Sequence, residues 1–291
     1  MADIAELLEG RIQAKASRPR RRERRIRPTR PSKKAEVQYR GELVSLVDYL
    51  AEVTERRLFD LLTRLEPQYL RDAATLDAYD DDLAQALAGL RGELGDMDAI
   101  ADQMATRHIS TVNRVQRKAF YNALERATQV DLEGLVTEEG LDPLVGASTR
   151  ANVNLIKSIP AKYFEQLETL IYRSTIQGVV PAGGIRAQIE ELYGVTKSRA
   201  QFIARDQTAK LNADLTEARN RNLGIEEYVW RITGGGKNGD GRVRKTHIAR
   251  NGHRYRWDTP PAGTGHPGQD YQCRCTAEAI LPASAQVSLA A

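Results

Sequence analysis

From Glu42 to Leu223 apolar residues return every three or four positions, and at Gly224 that rhythm stops. A stretch this long with a period near 3.6 folds as packed helices and not as sheet. Leu43, Leu46, Val47, Leu50, Val53, Leu58, Leu61, Leu62 and Leu65 form a first stripe, which Pro67 interrupts. A second runs Leu76–Leu94 and a third Met97–Val130, the latter rich in Ala, Arg and Gln, with His108 read as a surface or helix-packing residue. "EEGLDPLVGAST" reads as a break, with Ser148 or Thr149 capping the next helix, which continues to about Gln177 with a restart at Pro160. "QGVVPAGG" reads as a loop. Gly194 then ends one helix and Thr196 or Ser198 begins a longer one. Its buried stripe is Ala200, Ile203, Ala204, Gln207, Leu211, Leu215 and Ala218, with Arg199, Arg205, Lys210, Arg219 and Arg221 mainly off it. This helix–turn–helix is a weak DNA-reading signal, since any αα-hairpin on a core has the same pattern.

Beyond Gly224 the composition is wrong for a helix interior. "EEYVWRIT" alternates like a strand, "GGGKNGDG" is a glycine-rich loop, "VRKTHIARNGHRYRWD" carries an Asn-Gly hairpin signal, and "CRCTAEAILP" reads as a closing strand. Tyr228, Trp230, Val243, Tyr255, Trp257 and Ile280 are the best core candidates. The fold class is therefore α+β: a mostly helical body over residues 41–224 followed by a small β-rich domain over 225–282, with a disordered tail over 283–291. No apolar run approaches membrane-spanning length, and the acid-bearing start "MADIAELLEG" lacks the apolar stretch of a secretory signal. The expectation is a soluble protein made in the cytoplasm.

The net charge of +4 conceals segregation along the chain. Residues 1–40 carry 13 Lys/Arg against 5 acids, residues 41–196 carry 15 against 25, and residues 197–256 carry 14 against 6. Such asymmetry points to a polyanionic partner. Within residues 1–40, Ile4, Leu7, Leu8 and Ile12 make a short apolar stripe that orders only by docking onto something. Then "RPRRRERRIRPTRPSKK" (18–34) holds ten Lys/Arg, one Glu and three Pro. Repulsion and proline predict an extended, disordered tether. Arg18, Arg20, Arg21, Arg22, Arg24, Arg25, Arg27, Arg30, Lys33 and Lys34 are the candidate contacts to duplex phosphates, since arginine forms bidentate phosphate pairs. The alternative is a solubilising tail.

Both cysteines of the chain, Cys273 and Cys275, lie in "HPGQDYQCRC", residues 266–275. A disulfide from i to i+2 closes a strained loop and gains little. Two readings remain, buried packing and metal ligation. In a strand, i and i+2 share a face, so the thiols can converge on one ion while Arg274 points away. With His247 and His266 they make a four-ligand set of the kind that closes a structural zinc site. His253 is a further histidine in the cluster. An enzymatic alternative is a metal-dependent nuclease cleaving DNA phosphodiesters through Asp240, His247 and His266. The sequence has no Walker-type loop, no G-x-S-x-G elbow and no H-E-x-x-H.

The ordered series Ala204–Arg205, Tyr228 and Trp230, "DGRVRKTH" and "HPGQDYQCRC" resembles the C-terminal domain of the Mu F-like head-morphogenesis proteins of tailed bacteriophages. The matching positions are Asp240, Arg244, His247, Gly252, Tyr255, His266, Pro267, Cys273, Arg274 and Cys275; His253 falls outside the pattern. The match covers roughly residues 185–282, and the "GGGKNGDG" insertion departs from it. The resemblance implies a non-enzymatic minor capsid component of the virion, inside the head at the portal vertex. Its partners would be the portal protein, the major capsid or scaffolding protein, and non-specifically bound duplex DNA. No catalytic residue is carried over.

Overall fold

Among the described residues the helical part opens at Ser32, whose hydroxyl oxygen accepts from the Ala35 N–H at 3.2 Å as an N-cap does. The computed structural model describes residues 23–69, 76–130, 139–176, 185–234 and 241–282. In it α1 spans Lys33–Thr54, continues through a π-helical turn at Glu55–Phe59, and becomes α2, Asp60–Tyr69. Next come α3 (Leu76–Glu93), α4 (Met97–Thr128), α5 (Asp142–Ile176) and α6 (Arg186–Asn222). The sheet elements follow: β1 (Glu227–Arg231), a short α7 (Lys245–Arg250), β2 (Arg254–Arg256) and β3 (Thr276–Ile280). The three strands are antiparallel in the order β2-β1-β3. This is the α+β architecture the periodicity predicts.

Several expected breaks are absent. Pro67 lies inside α2, and Pro160 lies inside α5 between buried Ile156, Ile159, Tyr163 and Phe164. The break before α5 comes earlier than Ser148, which is itself helical; Asp142 and Pro143 open that helix. Gly194 does not end a helix either. α6 runs through it, with Ile189 and Leu192 buried before it and Ala200 after. The Thr196 hydroxyl donates back to the Leu192 carbonyl at 2.8 Å instead of capping. With no turn there, the helix–turn–helix is gone. "KTHIAR" is helix and not strand, because the His247 and Ile248 N–H groups both return to the Arg244 carbonyl.

The chain divides into two compact units interleaved in sequence. One comprises Met1–Glu36, His108–Ser148 and Arg205–Ala291, the other Val37–Arg107 and Thr149–Ala204. The sheet therefore belongs with helical residues before Gly224, and the compositional change at 224 is not a unit boundary. The all-helical unit has one large apolar core, from Tyr39, Leu43 and Val47 to Ile203 and Ala204. Its buried hydroxyls are paired: Tyr39 donates to Asn152 Oδ1 at 3.0 Å and Tyr163 to Thr54 Oγ1 at 3.1 Å.

The sheet-bearing unit holds smaller apolar clusters around a polar seam. The apolar residues are those expected: Tyr228, Trp230 and Trp257 pack together, with Val243 and Tyr255 against them, and Ile280 is buried. The seam was not expected. Arg219 is 1% exposed, its guanidinium donating to both carboxylate oxygens of Glu139, to Asn113 Oδ1 and to Gln116 Oε1. Gln116 Nε2 bonds Thr216 Oγ1 at 3.0 Å, and Thr216 meets Thr29 Oγ1 at 2.9 Å.

Thr29 belongs to the arginine-rich run, and from Glu23 onward that run is not a disordered tether. Ile26, its one apolar residue, is 3% exposed and packs with Phe120, Leu124 and Leu281. Ile26 N–H bonds Ala279 O at 2.9 Å and Leu281 N–H bonds Arg24 O at 3.0 Å, an antiparallel bridge on the free edge of β3. An open strand edge offers backbone partners that outweigh charge repulsion. The apolar stripe at Ile4–Ile12, Arg18, Arg20–Arg22, the "QGVVPAGG" loop, Asp240 and the tail over 283–291 lie outside the described residues. Among the described residues no helix is long and apolar enough to cross a membrane.

Ile26→Ala should cost about 2–4 kcal/mol, as a buried aliphatic truncation does, read from the urea midpoint. A free tether would lose nothing. His108 supplies a pH test. Burial lowers it from 6.5 to about 4, with Thr208 Oγ1 at 3.4 Å from its Nε2. A histidine depressed in the fold stabilises fully above its unfolded value and loses that contribution as pH falls from about 6.5 to about 4. The loss is of order 3 kcal/mol. Urea midpoints at pH 7.5 and 4.5 should therefore fall less steeply for His108→Gln than for the wild type.

Candidate metal centre

His247 sits in the middle of α7, and the chain that follows fixes that helix to β1. Gly252 N–H bonds Trp230 O at 2.9 Å and Trp230 N–H bonds His253 O at 3.0 Å. Gly252 holds φ +85°, which a side chain disfavours. The result stands the His247 ring edge-on to the Trp230 indole, with ring centres 5.3 Å apart.

The cysteines reach the same place by a different route from the expected one. They are not on a strand; β3 begins at Thr276, one residue after Cys275. They lie on the irregular segment 266–275, which α6 grips. Gln272, at φ +54°, donates its N–H to the buried Asp206 carboxylate at 2.7 Å. Gln269 Nε2 reaches Asp214 Oδ1 at 3.2 Å and Glu217 Oε2 at 3.1 Å. Gly268 comes so close to the helix that an added Cβ would lie 2.7 Å from the Ala213 methyl. Cys273 N–H then closes a turn onto Asp270 O at 3.0 Å.

Both thiols converge on His247. Its Nδ1 is 3.5 Å from Cys273 Sγ and 3.5 Å from Cys275 Sγ, and the three atoms lie within 4.8 Å of one another. A tetrahedral zinc, with Zn–S about 2.3 Å and Zn–N about 2.0–2.1 Å, places N and S about 3.5–3.6 Å apart. The donor set therefore fits such an ion. His247 Nε2 is 3.1 Å from Asp270 Oδ2. That contact puts the ring proton on Nε2 and leaves the Nδ1 lone pair facing the sulfurs, the carboxylate–histidine arrangement that orients a ligand. The Cys275 thiol, hydrogen-bonded to Cys273, holds Cys273 down at about 6, and the same contact pushes Cys275 upward. The two sulfurs share that proton as a pair. All three ligands are buried.

His266 does not join them. Its Nδ1 is 2.9 Å from the Tyr228 hydroxyl, its ring packs against Tyr228 and Trp257, and its Nε2 is 3.9 Å from Glu217. Burial lowers its pKa. It is a packing residue of the sheet, so the four-ligand set reduces to His247, Cys273 and Cys275. The nuclease set comes apart with it, since His247 and His266 face different partners and Asp240 is outside the described residues. His253 is exposed. Sequence reasoning missed Asp270, Asp206, Asp214 and Gln269. The only signal was a carboxylate three residues before the first cysteine.

The arginine run presents a reduced set of cations. Arg25 pairs with Glu23 at 2.8 Å and Glu278 at 3.3 Å, and Lys33 pairs with Glu36 at 2.6 Å. Arg27, Arg30 and Lys34 are exposed, and Arg24 is half-buried.

With the centre placed, comparisons with known proteins become informative. Residues 166–278 match the family model described as Phage Mu protein F like protein. Residues 166–278 form a Mu F-like segment. It contains all three converging ligands, Asp270 and most of β3. The chain is also 32% identical over 272 residues to an uncharacterized protein of Haemophilus influenzae, an alignment covering 91% of this chain and 58% of the relative. The chain thus spans little more than half the length of that relative. No solved structure matches.

The Mu F-like segment supplies a sharp test of the centre. Asp270→Asn should keep the fold and lower zinc affinity about 10–100-fold, the usual effect of losing an orienting carboxylate. Competition against a chromophoric chelator measures it. Unchanged affinity would mean that Asp270 does not orient His247.

Proposed function

We propose that this protein is a minor capsid protein of a tailed bacteriophage that acts in head morphogenesis at the portal vertex. The observation that carries the reading is the Mu F-like match over residues 166–278, a family of phage head proteins. Its role is structural: it sits inside the head, contacts the portal protein and the major capsid or scaffolding protein, and assists DNA packaging or delivery. Within it, a zinc ion held by His247, Cys273 and Cys275 ties α7 to the segment that leads into β3. The ion would supply folding energy to a sheet of only three short strands.

The arginine-rich run is the proposed DNA contact. Its exposed part adjoins a segment docked on β3, so phosphate binding would be anchored to the sheet instead of trailing from it. Mass spectrometry of purified virions beside purified procapsids tests the whole assignment. The protein should appear in both at a few copies per particle, and its absence from both would overturn the reading. For DNA, if about five phosphates are neutralised, log K against log salt should slope near −4 to −5. Changing Arg18, Arg20, Arg21, Arg22, Arg27 and Arg30 together to Gln should flatten that slope. This set spares Ile26, Thr29 and Arg25, so the melting temperature should hold. An unchanged slope would shift the DNA contact elsewhere.

A further inference from the structure

Three protein atoms converge where a zinc ion would take four ligands. Among the described residues no further His, Cys, Asp or Glu joins His247, Cys273 and Cys275. Those three residues instead line a cavity of about 190 Å³ whose other walls carry Arg205, Arg242, Arg244 and Arg274. Thr233, Val243 and Gln272 also line it, and no carboxylate residue does.

The arginines come from separate parts of the unit. Arg205 projects from α6, Arg242 and Arg244 precede α7, and Arg274 stands between the two thiols. Their gathering is therefore a product of the fold and not of a local basic run. Arg244 is held in place by Asp270 Oδ2 at 3.2 Å and by the Tyr271 carbonyl at 2.6 Å. Asp270 pairs with one of these cations at the rim. A divalent ion with two thiolates is neutral and adds no net charge of its own. A cavity bordered by a cation's open coordination position and by four arginine residues suits an oxyanion.

We propose that this cavity binds a phosphate dianion, one oxygen completing the metal's coordination and the others meeting the arginines. A carboxylate has a single oxygen left after ligation, too few for guanidinium groups on several walls. A phosphate has three. A diester inside a duplex bears one charge and is flanked by sugars on both sides. The matching chemistry is thus inorganic phosphate or the terminal phosphomonoester of a nucleic acid strand.

The proposal rests on the metal reading, and the test separates the two. The full chain is loaded with Co²⁺ alone, whose thiolate charge-transfer and ligand-field bands report the two sulfurs and the coordination geometry. It is then titrated with inorganic phosphate, a 5′-phosphorylated oligonucleotide, the same oligonucleotide with a 5′-hydroxyl, and acetate. Phosphate or the phosphorylated strand should shift the ligand-field bands and broaden the ³¹P resonance, while the 5′-hydroxyl strand should do neither. A response to inorganic phosphate alone identifies free phosphate as the source, and a tighter response to the phosphorylated strand identifies a nucleic acid end. Arg242→Gln and Arg274→Gln should each weaken phosphate binding about ten-fold or more, the size of a lost charge-assisted hydrogen bond, with the charge-transfer band retained. Arg→Lys should recover part of that loss. Absent charge-transfer bands would overturn the metal reading and the proposal with it. Bands that are present but indifferent to phosphate would overturn the phosphate pocket alone, as would a shift produced by acetate and not by phosphate.

Discussion

The grip of α6 on the segment 266–275 is the constraint from which the candidate centre follows. An irregular stretch of chain must place two thiols on one histidine, and its internal hydrogen bonds, such as Cys273 N–H to Asp270 O, shape its turns without tying it to α6. α6 supplies the hold through acids spaced along its length. Asp206 accepts from the Gln272 backbone, while Asp214 and Glu217 both accept from Gln269. Hydrogen bonds to ionised acceptors contribute about 1.5–3 kcal/mol each, more than neutral ones. Burial pushes Asp214 upward, so part of that energy is spent on keeping a carboxylate away from water. At Gly268 the backbone lies against Ala213, and only a residue without a side chain fits. The second half of α6 is in this sense part of the site.

The electrostatics of the three ligands point the same way as their geometry. The hydrogen bond between the two thiols splits them, Cys273 down to about 6 and Cys275 upward, while desolvation pushes both toward the neutral form. Cys275 N–H also points at Cys273 Sγ, at 3.4 Å, and favours negative charge on that sulfur. The histidine between them turns its Nδ1 lone pair toward the sulfurs because its Nε2–H donates to Asp270. A buried thiolate, a second thiol and a neutral imidazole nitrogen on one point leave a concentration of lone pairs that a divalent cation relieves.

Legibility in the sequence divided along hydrophobicity. Helices whose buried face is aliphatic were plain, and so was the aromatic heart of the sheet, because Leu, Ile, Tyr and Trp announce burial by periodicity alone. The polar seam was illegible for the same reason. Arg219 lies beside the apolar stripe of α6 and reads as a solvated face, yet it is among the most buried residues of the protein. What buries it is a set of partners, Asn113, Gln116 and Glu139, more than eighty positions away or nearly so. No local pattern encodes such distant complementarity. The cysteine spacing predicts convergence through a shared strand face, whereas the two thiols meet through a turn with Gln272 at positive φ. His266 failed because sequence proximity and donor type could not distinguish a ligand from a ring packed on Tyr228 and Trp257.

The docking of residues 24–26 changes what the basic run can do mechanically. A free tether transmits no information to the body it trails from. A segment bonded to the edge of β3 does, because β3 also pairs with β1 along five residues and follows Cys275 directly. Arg25 adds a contact to Glu278, which Arg231 of β1 grips from the other side. Tension on the run therefore bears first on two backbone hydrogen bonds and the Ile26 side chain, and then on the strand that carries the chain away from the metal ligands. Thr29 ties the same segment to the seam through Thr216, on the helix that grips 266–275. The N-terminal cations and the candidate centre are thus attached to the same two elements, β3 and α6.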